Sequence, residues 1–258
     1  MNFDKKVALI TGGTSGIGFS VAKSLMKEGA KVVIVGRNPN KGEDALQKLK
    51  QIHSDVKYLS VDISSSNDVR QMVRSTVSSF GKLDFAFNNA GNSEGKPALT
   101  YEFSEDDFDK MMGVTIKGVW LCLKFEIQAM LKTGGGSIVN TSSLDALVCS
   151  GGTTAYAAGK SGVNALTRAV AQEYGTYGIR VNTLTPGAIR TPMIESKFRD
   201  LPKEQASLLE EKYKNLNAIG RIGNPEEAAA AVSWLLSGEA RYITGQNIIV
   251  DGGVSFIS

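Results

Sequence analysis

Along the chain, short apolar runs rich in β-branched residues alternate with longer stretches in which apolar residues recur with helical spacing. The strand-length runs are VALIT (7–11), KVVIVG (31–36), VKYLSVDI (56–63), LDFAFNNA (83–90), SIVNTSS (137–143), IRVNTLTP (179–186) and QNIIVDG (246–252). Between them, Gly16 to Glu28, Asn67 to Phe80, Phe108 to Leu131, Ala155 to Tyr174 and Pro225 to Leu236 read as amphipathic helices, each long enough to cross over one face of a sheet. Gly29 and Gly81 follow two of these helices as stops, and Asn224-Pro225-Glu226-Glu227 reads as a cap, an N1 proline and an acidic first turn. Repeated βα units predict an α/β fold: a doubly wound, Rossmann-like sandwich of about seven parallel strands with helices on both faces. No repeat or Pro/Gly-rich linker interrupts the pattern, so residues 1–258 are expected to form one domain. The one long non-sheet stretch, 190–216, is the candidate substrate lid. Trp120 and Cys122, in the apolar VWLCL face, are expected in the core.

Composition removes several classes of function. The 258 residues are 42% hydrophobic and 21% charged with a net charge of +3, basic residues lying scattered among acids, so no nucleic-acid stripe is present, although an anionic ligand is permitted. No apolar run approaches the ~20 residues of a membrane span. The start MNFDKKVALITGG lacks the plan of a signal peptide, and a cytoplasmic location is expected. The single histidine, His53, sits in a polar segment and reads as a surface residue, leaving neither a histidine-based triad nor a metal site. Cys122 and Cys149 form no CxxC pair, and Cys149 has no evident partner base.

Directly after the first strand comes Thr11-Gly12-Gly13-Thr14-Ser15-Gly16-Ile17-Gly18, opening a helix. Glycines there let the backbone turn sharply and let a pyrophosphate approach the free N–H groups at the helix N-terminus. A strand before, a helix after and a second strand at 31–36 supply the context a dinucleotide site requires.

The Gly12, Gly16, Gly18 spacing departs from GxGxxG and resembles that of the short-chain dehydrogenase/reductase family, and the resemblance runs nearly end to end. Asp62-Ile63 is similar to its adenine-contacting pair and Asn88-Asn89-Ala90-Gly91 to its NNAG motif. Ser143 stands thirteen residues before Tyr156, which opens the YxxxK sequence Tyr156-Ala157-Ala158-Gly159-Lys160. Asn182, Pro186-Gly187 and Thr191 resemble the N…PG…T segment beside the nicotinamide, and ITGQNIIVDGG is a typical tail. The resemblance implies a NAD(P)(H)-dependent oxidoreductase acting on an alcohol or carbonyl. Its cofactor contacts would come from Gly12, Thr14, Ser15, Gly16, Ile17, Gly18, Arg37, Asp62, Ile63, Asn89, Ala90, Gly91, Pro186, Gly187, Ile189 and Thr191, with Tyr156 and Lys160 reaching the nicotinamide ribose.

Tyr156 and Lys160, four apart on a helical stretch, share one face. A tyrosine ionises near pH 10, and a neighbouring ammonium is expected to lower that value toward the range of general acid–base catalysis. Ser143 would hold the substrate oxygen in line. The family's relay asparagine, which completes its tetrad, is replaced here by Thr115, so the tetrad's water relay is in question. A dinucleotide-binding sensor or scaffold with the same fold is the competing reading; the intact Ser143, Tyr156 and Lys160 favour the enzyme.

At the end of the second strand Gly36-Arg37 replaces the carboxylate that would accept ribose hydroxyls, and the pattern favours NADP(H), with NAD(H) the alternative. Gly36 is expected to leave room for a larger side chain. Ser93, Glu94, Asp145, Leu147, Cys149, Ala188 and Met193 are the pocket-lining candidates, a mixed set that does not name a substrate beyond a small-molecule alcohol or carbonyl. The long apolar faces of 108–131 and 155–174, together with the family's habit, predict a homotetramer.

Overall fold

The computed structural model describes residues 1–91 and 98–256. Its centre is a seven-stranded sheet in the order β3-β2-β1-β4-β5-β6-β7, with every pairing parallel. The strands are β1 (Val7–Thr11), β2 (Lys31–Gly36), β3 (Val56–Ser60), β4 (Phe85–Asn88), β5 (Gly136–Thr141), β6 (Ile179–Pro186) and β7 (Asn247–Val250). Side chains alternate between two cores. Ala8, Ile10, Val32, Ile34 and Phe87 face helices α1 (Gly16–Lys27), α2 (Pro39–Lys50) and α10 (Pro225–Leu236). Leu9, Val33, Val35, Ala86 and Ile138 face α3 (Ser66–Phe80), α5 (Val119–Met130) and α7 (Thr154–Tyr174). Burial on both sides explains why the central strands read as continuous apolar runs.

The strand order reverses between β1 and β4, so the loops leaving their carboxyl ends diverge and open a crevice, the usual ligand site of such sheets. Asn89 closes the base of that crevice: its N–H and that of Ala90 donate to Thr11 Oγ1 at 3.0 and 3.1 Å. The expected start of α10 forms as a capping box, with Asn224 N–H on Glu227 Oε2 at 2.7 Å.

Four differences from the pattern reading have physical causes. Helix α2 was not visible as an apolar period because only Gly42, Ala45 and Leu49 are buried on it; Pro39 at its first turn and Asn38, which caps Lys41 N–H at 3.0 Å, define it. The stretch 108–131 is not one regular helix: α4 (Glu105–Met112) passes through a π-helical turn at Gly113–Gly118 into α5. Gly118 there packs so closely on Ile63 that a β-carbon would lie 2.9 Å from Ile63 Cδ1. Trp120 is 45% exposed rather than core, its ring under Lys124 Nζ at 5.2 Å, whereas Cys122 is buried as expected. Residues 190–216 hold two helices, α8 (Pro192–Arg199) and α9 (Lys203–Asn215), tied to each other by Arg190, which pairs with Glu195 at 2.8 Å and Glu210 at 2.7 Å. The four-residue helix α6 (Asp145–Val148) follows β5. Among the described residues no helix is long and apolar enough to cross a membrane.

Candidate functional site

One cavity of about 1320 Å³ runs along the carboxyl ends of the strands and gathers most of the predicted site. Gly12, Thr14, Ser15, Gly16 and Ile17 line one end, with Arg37, Asp62 and Ile63; Asn89, Ala90 and Gly91 form its middle; Ser143, Tyr156 and Lys160 with Pro186, Gly187, Ile189 and Thr191 form the other end. Gly12 and Gly16 have φ of 64° and 53°, the left-handed region that disfavours any side chain, so the turn from β1 into α1 depends on them. Gly18 does not line the cavity; it lies directly on the Gly12 carbonyl, where a β-carbon has no room.

The first turn of α1 supplies the electrostatics. Its cap residue, Ser15, makes no side-chain hydrogen bond to the helix, and no acid stands in that turn. Its N–H groups therefore face the cavity with the positive end of the helix dipole, which suits a pyrophosphate. At the far side Asp62 accepts from Ser64 N–H at 2.9 Å and from its hydroxyl at 2.8 Å; the backbone bond chiefly holds its carboxyl below the usual range, and Arg37 adds to this. Gly36 offers less room than expected, since a β-carbon would stand 2.8 Å from Thr14 Cγ2.

At the other end, α7 presents Tyr156 and Lys160 on one face, and β5 ends in the turn that carries Ser143. The Ser143 hydroxyl stands beside the Tyr156 phenol, near enough to favour its ionised form. Lys160 is 3% exposed; its Nζ donates to the Thr141 carbonyl at 2.7 Å and lies 5.8 Å from the centre of the Tyr156 ring. Burial draws the lysine down to about 8. Contrary to the expected lowering of the tyrosine, burial raises Tyr156 above its usual value and the Asp145 carboxylate adds to the rise, with only the nearby Ser143 hydroxyl opposing. The reason is geometric: Lys160 Nζ is committed to Thr141 and the ring face.

Thr115 stands behind this centre. Its side chain is fully buried in the π-helical turn, its Cγ2 is 2.8 Å from where a Gly159 β-carbon would be, and its Oγ1 has no partner. Asn182 lies away from the cavity, spending its amide on the Ile243 carbonyl at 2.9 Å and on Gln246 N–H at 3.0 Å. Of the pocket candidates, Asp145, Ala188 and Met193 line the cavity; Leu147 and Cys149 point elsewhere and are exposed, because α6 ends at Cys149 in the left-handed conformation with φ 53°. Ser93 and Glu94 lie outside the described residues. His53 is exposed, as expected. The apolar side chains of Phe103, Phe108, Leu144, Val148 and Leu216, with Lys197 of α8 and Tyr213 of α9, were not legible because these residues come from separate elements and carry no motif.

Comparison with known proteins bears on the whole chain. The family model described as enoyl-(acyl carrier protein) reductase matches residues 12–255. Levodione reductase of Leifsonia aquatica is 38% identical over 255 residues, covering 98% of this chain and 95% of that protein. Cyclohexanol dehydrogenase of an Acinetobacter species is 37% identical over 250 residues, covering 97% and 95%. A 2,5-dichloro-2,5-cyclohexadiene-1,4-diol dehydrogenase of Sphingobium indicum is 37% identical over 253 residues, covering 98% of each. The crystal structure of levodione reductase superimposes with a TM-score of 0.94 at 38% identity over 100% of both chains. The chain belongs to the short-chain dehydrogenase/reductase family, and it is an NAD(P)-dependent oxidoreductase that moves a hydride between the nicotinamide and an alcohol or carbonyl carbon.

Proposed function

We propose that Ser143, Tyr156 and Lys160 carry this reaction on a ring-borne secondary alcohol or ketone. The observation that carries the assignment is their convergence, with Ser143 and Tyr156 lining one wall and the buried Lys160 Nζ 5.8 Å from the centre of the Tyr156 ring, in the same cavity as the glycine turn of α1. The names of two relatives, a cyclohexanol dehydrogenase and a 2,5-dichloro-2,5-cyclohexadiene-1,4-diol dehydrogenase, support a six-membered ring as the carbon skeleton.

The residues present fit a dinucleotide: a cradle closed to side chains, free helix N–H groups for pyrophosphate, Asp62 and Ile63 for adenine, and Tyr156 and Lys160 at the nicotinamide ribose. When bound, the nicotinamide supplies or takes the hydride. Ser143 holds the substrate oxygen, and Tyr156 Oη gives its proton to that oxygen as hydride reaches carbon; in the reverse direction it takes the proton. The raised tyrosine keeps the phenol protonated at neutral pH, the form needed for carbonyl reduction. Lys160, still cationic below about 8, stabilises the phenolate left behind. Arg37, beside Asp62, favours NADP(H) over NAD(H) by pairing with a 2′-phosphate. Gly187, Pro186, Ile189 and Thr191 flank the nicotinamide, and 190–216 acts as the lid of one domain spanning 1–258. A cytoplasmic homotetramer is the working form; a monomeric mass by light scattering at micromolar concentration counts against it.

The test is Tyr156→Phe assayed by nicotinamide absorbance with cyclohexanone and cyclohexanol. Turnover is expected to disappear while dinucleotide binding, followed by fluorescence, persists. Turnover surviving in Tyr156→Phe removes the tyrosine from the chemistry.

A further inference from the structure

Asp145, one of the expected pocket-lining residues, places a carboxylate beside Ser143 and Tyr156. It opens α6 two residues after Ser143, and its own N–H donates to Ser143 Oγ at 3.2 Å, so the two residues are fixed relative to each other. Its Oδ1 accepts from Ser150 N–H at 3.3 Å, and among the described residues nothing bonds Oδ2. The carboxylate lines the cavity, and its field reaches the Tyr156 hydroxyl. The same cavity is lined by the apolar Leu144, Val148, Phe103 and Met193 and by the polar Ser150, Thr153 and Lys197.

A carboxylate accepts hydrogen bonds and donates none. When a substrate displaces water from this cavity, an oxygen left without a donor pays the desolvation of a charged acceptor. An unsubstituted hydrocarbon ring provides no donor. A ligand with an apolar body and a hydroxyl directed at Oδ2 does, and it suits the apolar side chains of the lining as well. The Asp145 N–H is 3.2 Å from Ser143 Oγ, and the carboxylate of the same residue is a few bonds further on, so the acceptor lies within about 8 Å of that hydroxyl. An ammonium group is the other possible donor, but in the oxidative direction it would share the cavity with a cationic nicotinamide and be repelled by it. A neutral hydroxyl is compatible with both directions.

We propose that Asp145 determines specificity by accepting a hydrogen bond from a second hydroxyl on the ring that bears the reacting carbon, so that the substrates are ring diols and the hydroxyketones derived from them. The inference rests on Ser143 and Tyr156 being the reacting pair. In the oxidative direction one C–H bond yields hydride to NAD(P)⁺ and the adjacent O–H yields its proton to Tyr156; the second hydroxyl stays intact on Asp145. Diol and NAD(P)⁺ thus give hydroxyketone, NAD(P)H and a proton.

The experiment compares kcat/KM for cyclohexanol, the isomeric cyclohexanediols and aminocyclohexanol in wild type, Asp145→Leu and Asp145→Asn. In wild type the best diol is expected to exceed cyclohexanol by about ten- to a hundredfold, the range of a charge-assisted hydrogen bond. Asp145→Leu is expected to bring that ratio close to unity, and Asp145→Asn, which keeps a carbonyl acceptor, to retain part of it. Removing the carboxylate also relieves Tyr156 of its field and moves the pH profile, but equally for every substrate, so the ratio isolates recognition. Cyclohexanol and diols used equally well by wild type, a ratio unchanged in Asp145→Leu, or a preference for the amino alcohol each overturns the inference and leaves the catalytic assignment standing. Failure of every ring alcohol overturns the ring reading itself and this inference with it.

Discussion

Glu126 is the group whose ionisation should be most visible in the stability of the fold. It lies on α5, 0% exposed, and its Oε2 accepts from Asn88 Nδ2 at 2.9 Å, while the same amide donates to Asn140 Oδ1 at 3.0 Å. The chain of bonds continues from Asn140 Nδ2 to Thr167 Oγ1 at 2.9 Å and from Thr183 to Thr167 at 2.8 Å. Among the described residues two acceptors in it have no partner, Glu126 Oε1 and Asn88 Oδ1. A single proton on Glu126 changes that, since a neutral carboxyl can accept from the Asn88 amide through one oxygen and donate to its carbonyl through the other. Burial favours that neutral form and pushes the carboxyl from 4.5 to about 7, with the Asn88 bond acting in the opposite sense. Cys122, one turn earlier on α5, is held up as a neutral thiol by burial and by the Glu126 charge, so it does not compensate. Arg70 of α3 is placed over the Phe125 ring at 5.4 Å.

Between pH 4.5 and about 7 the folded protein keeps a proton that the unfolded chain has lost. Stability is therefore full below 4.5, falls as pH rises toward about 7, and is level beyond. At roughly 1.4 kcal/mol per pH unit the interval is worth about 3 kcal/mol. Glu126→Gln is the perturbation, because a glutamine amide reproduces the neutral pairing with Asn88 and does not titrate. Urea unfolding of both proteins from pH 5 to 8 should give similar stabilities at the acid end and a Gln variant more stable by up to about 3 kcal/mol at the alkaline end. Titration of all other groups cancels in the difference. A difference that stays constant with pH, or a wild type that is the more stable at pH 8, refutes the reasoning.

Two further predictions concern the ends of the cavity. Arg37→Ala should weaken NADP(H) about ten- to hundredfold while leaving NAD(H) much less affected, measured as paired dissociation constants; equal weakening would assign Arg37 to stacking or packing. Thr115→Asn should fold and keep or raise turnover if the threonine only stands in for a relay asparagine, and Thr115→Val should be at least as stable as wild type because the hydroxyl it removes has no partner. Loss of turnover in Thr115→Asn with dinucleotide affinity intact would mean that the proton path is organised around the hydroxyl.

What was readable from the residues alone is what local chemistry dictates. The continuous apolar runs of the strands follow from a sheet buried on both faces, and the Gly12 and Gly16 conformations exclude other residues, so both left marks in a handful of consecutive positions. The YxxxK spacing is likewise local, since helical geometry alone puts Tyr156 and Lys160 on one side of α7. Features that depend on distant parts of the chain left no such mark. The raised Tyr156 results from burial and from Asp145, whose position depends on how β5 turns into α6, while Lys160 turns to Thr141 on the sheet. Glu126 in a sequence is one acid in an otherwise apolar helix; only the packing of α5 on β4 makes it a buried partner of Asn88, whose neighbour Asn89 closes the glycine turn at Thr11. The two kinds of feature meet at Thr115: the departure from the family is visible in one letter, but its consequence depends on the π-helical turn at Gly113–Gly118, which presses its methyl on Gly159, the residue before Lys160. A substitution at 115 therefore acts on the relay and on the seat of Lys160 together, and turnover measured beside stability is what separates them.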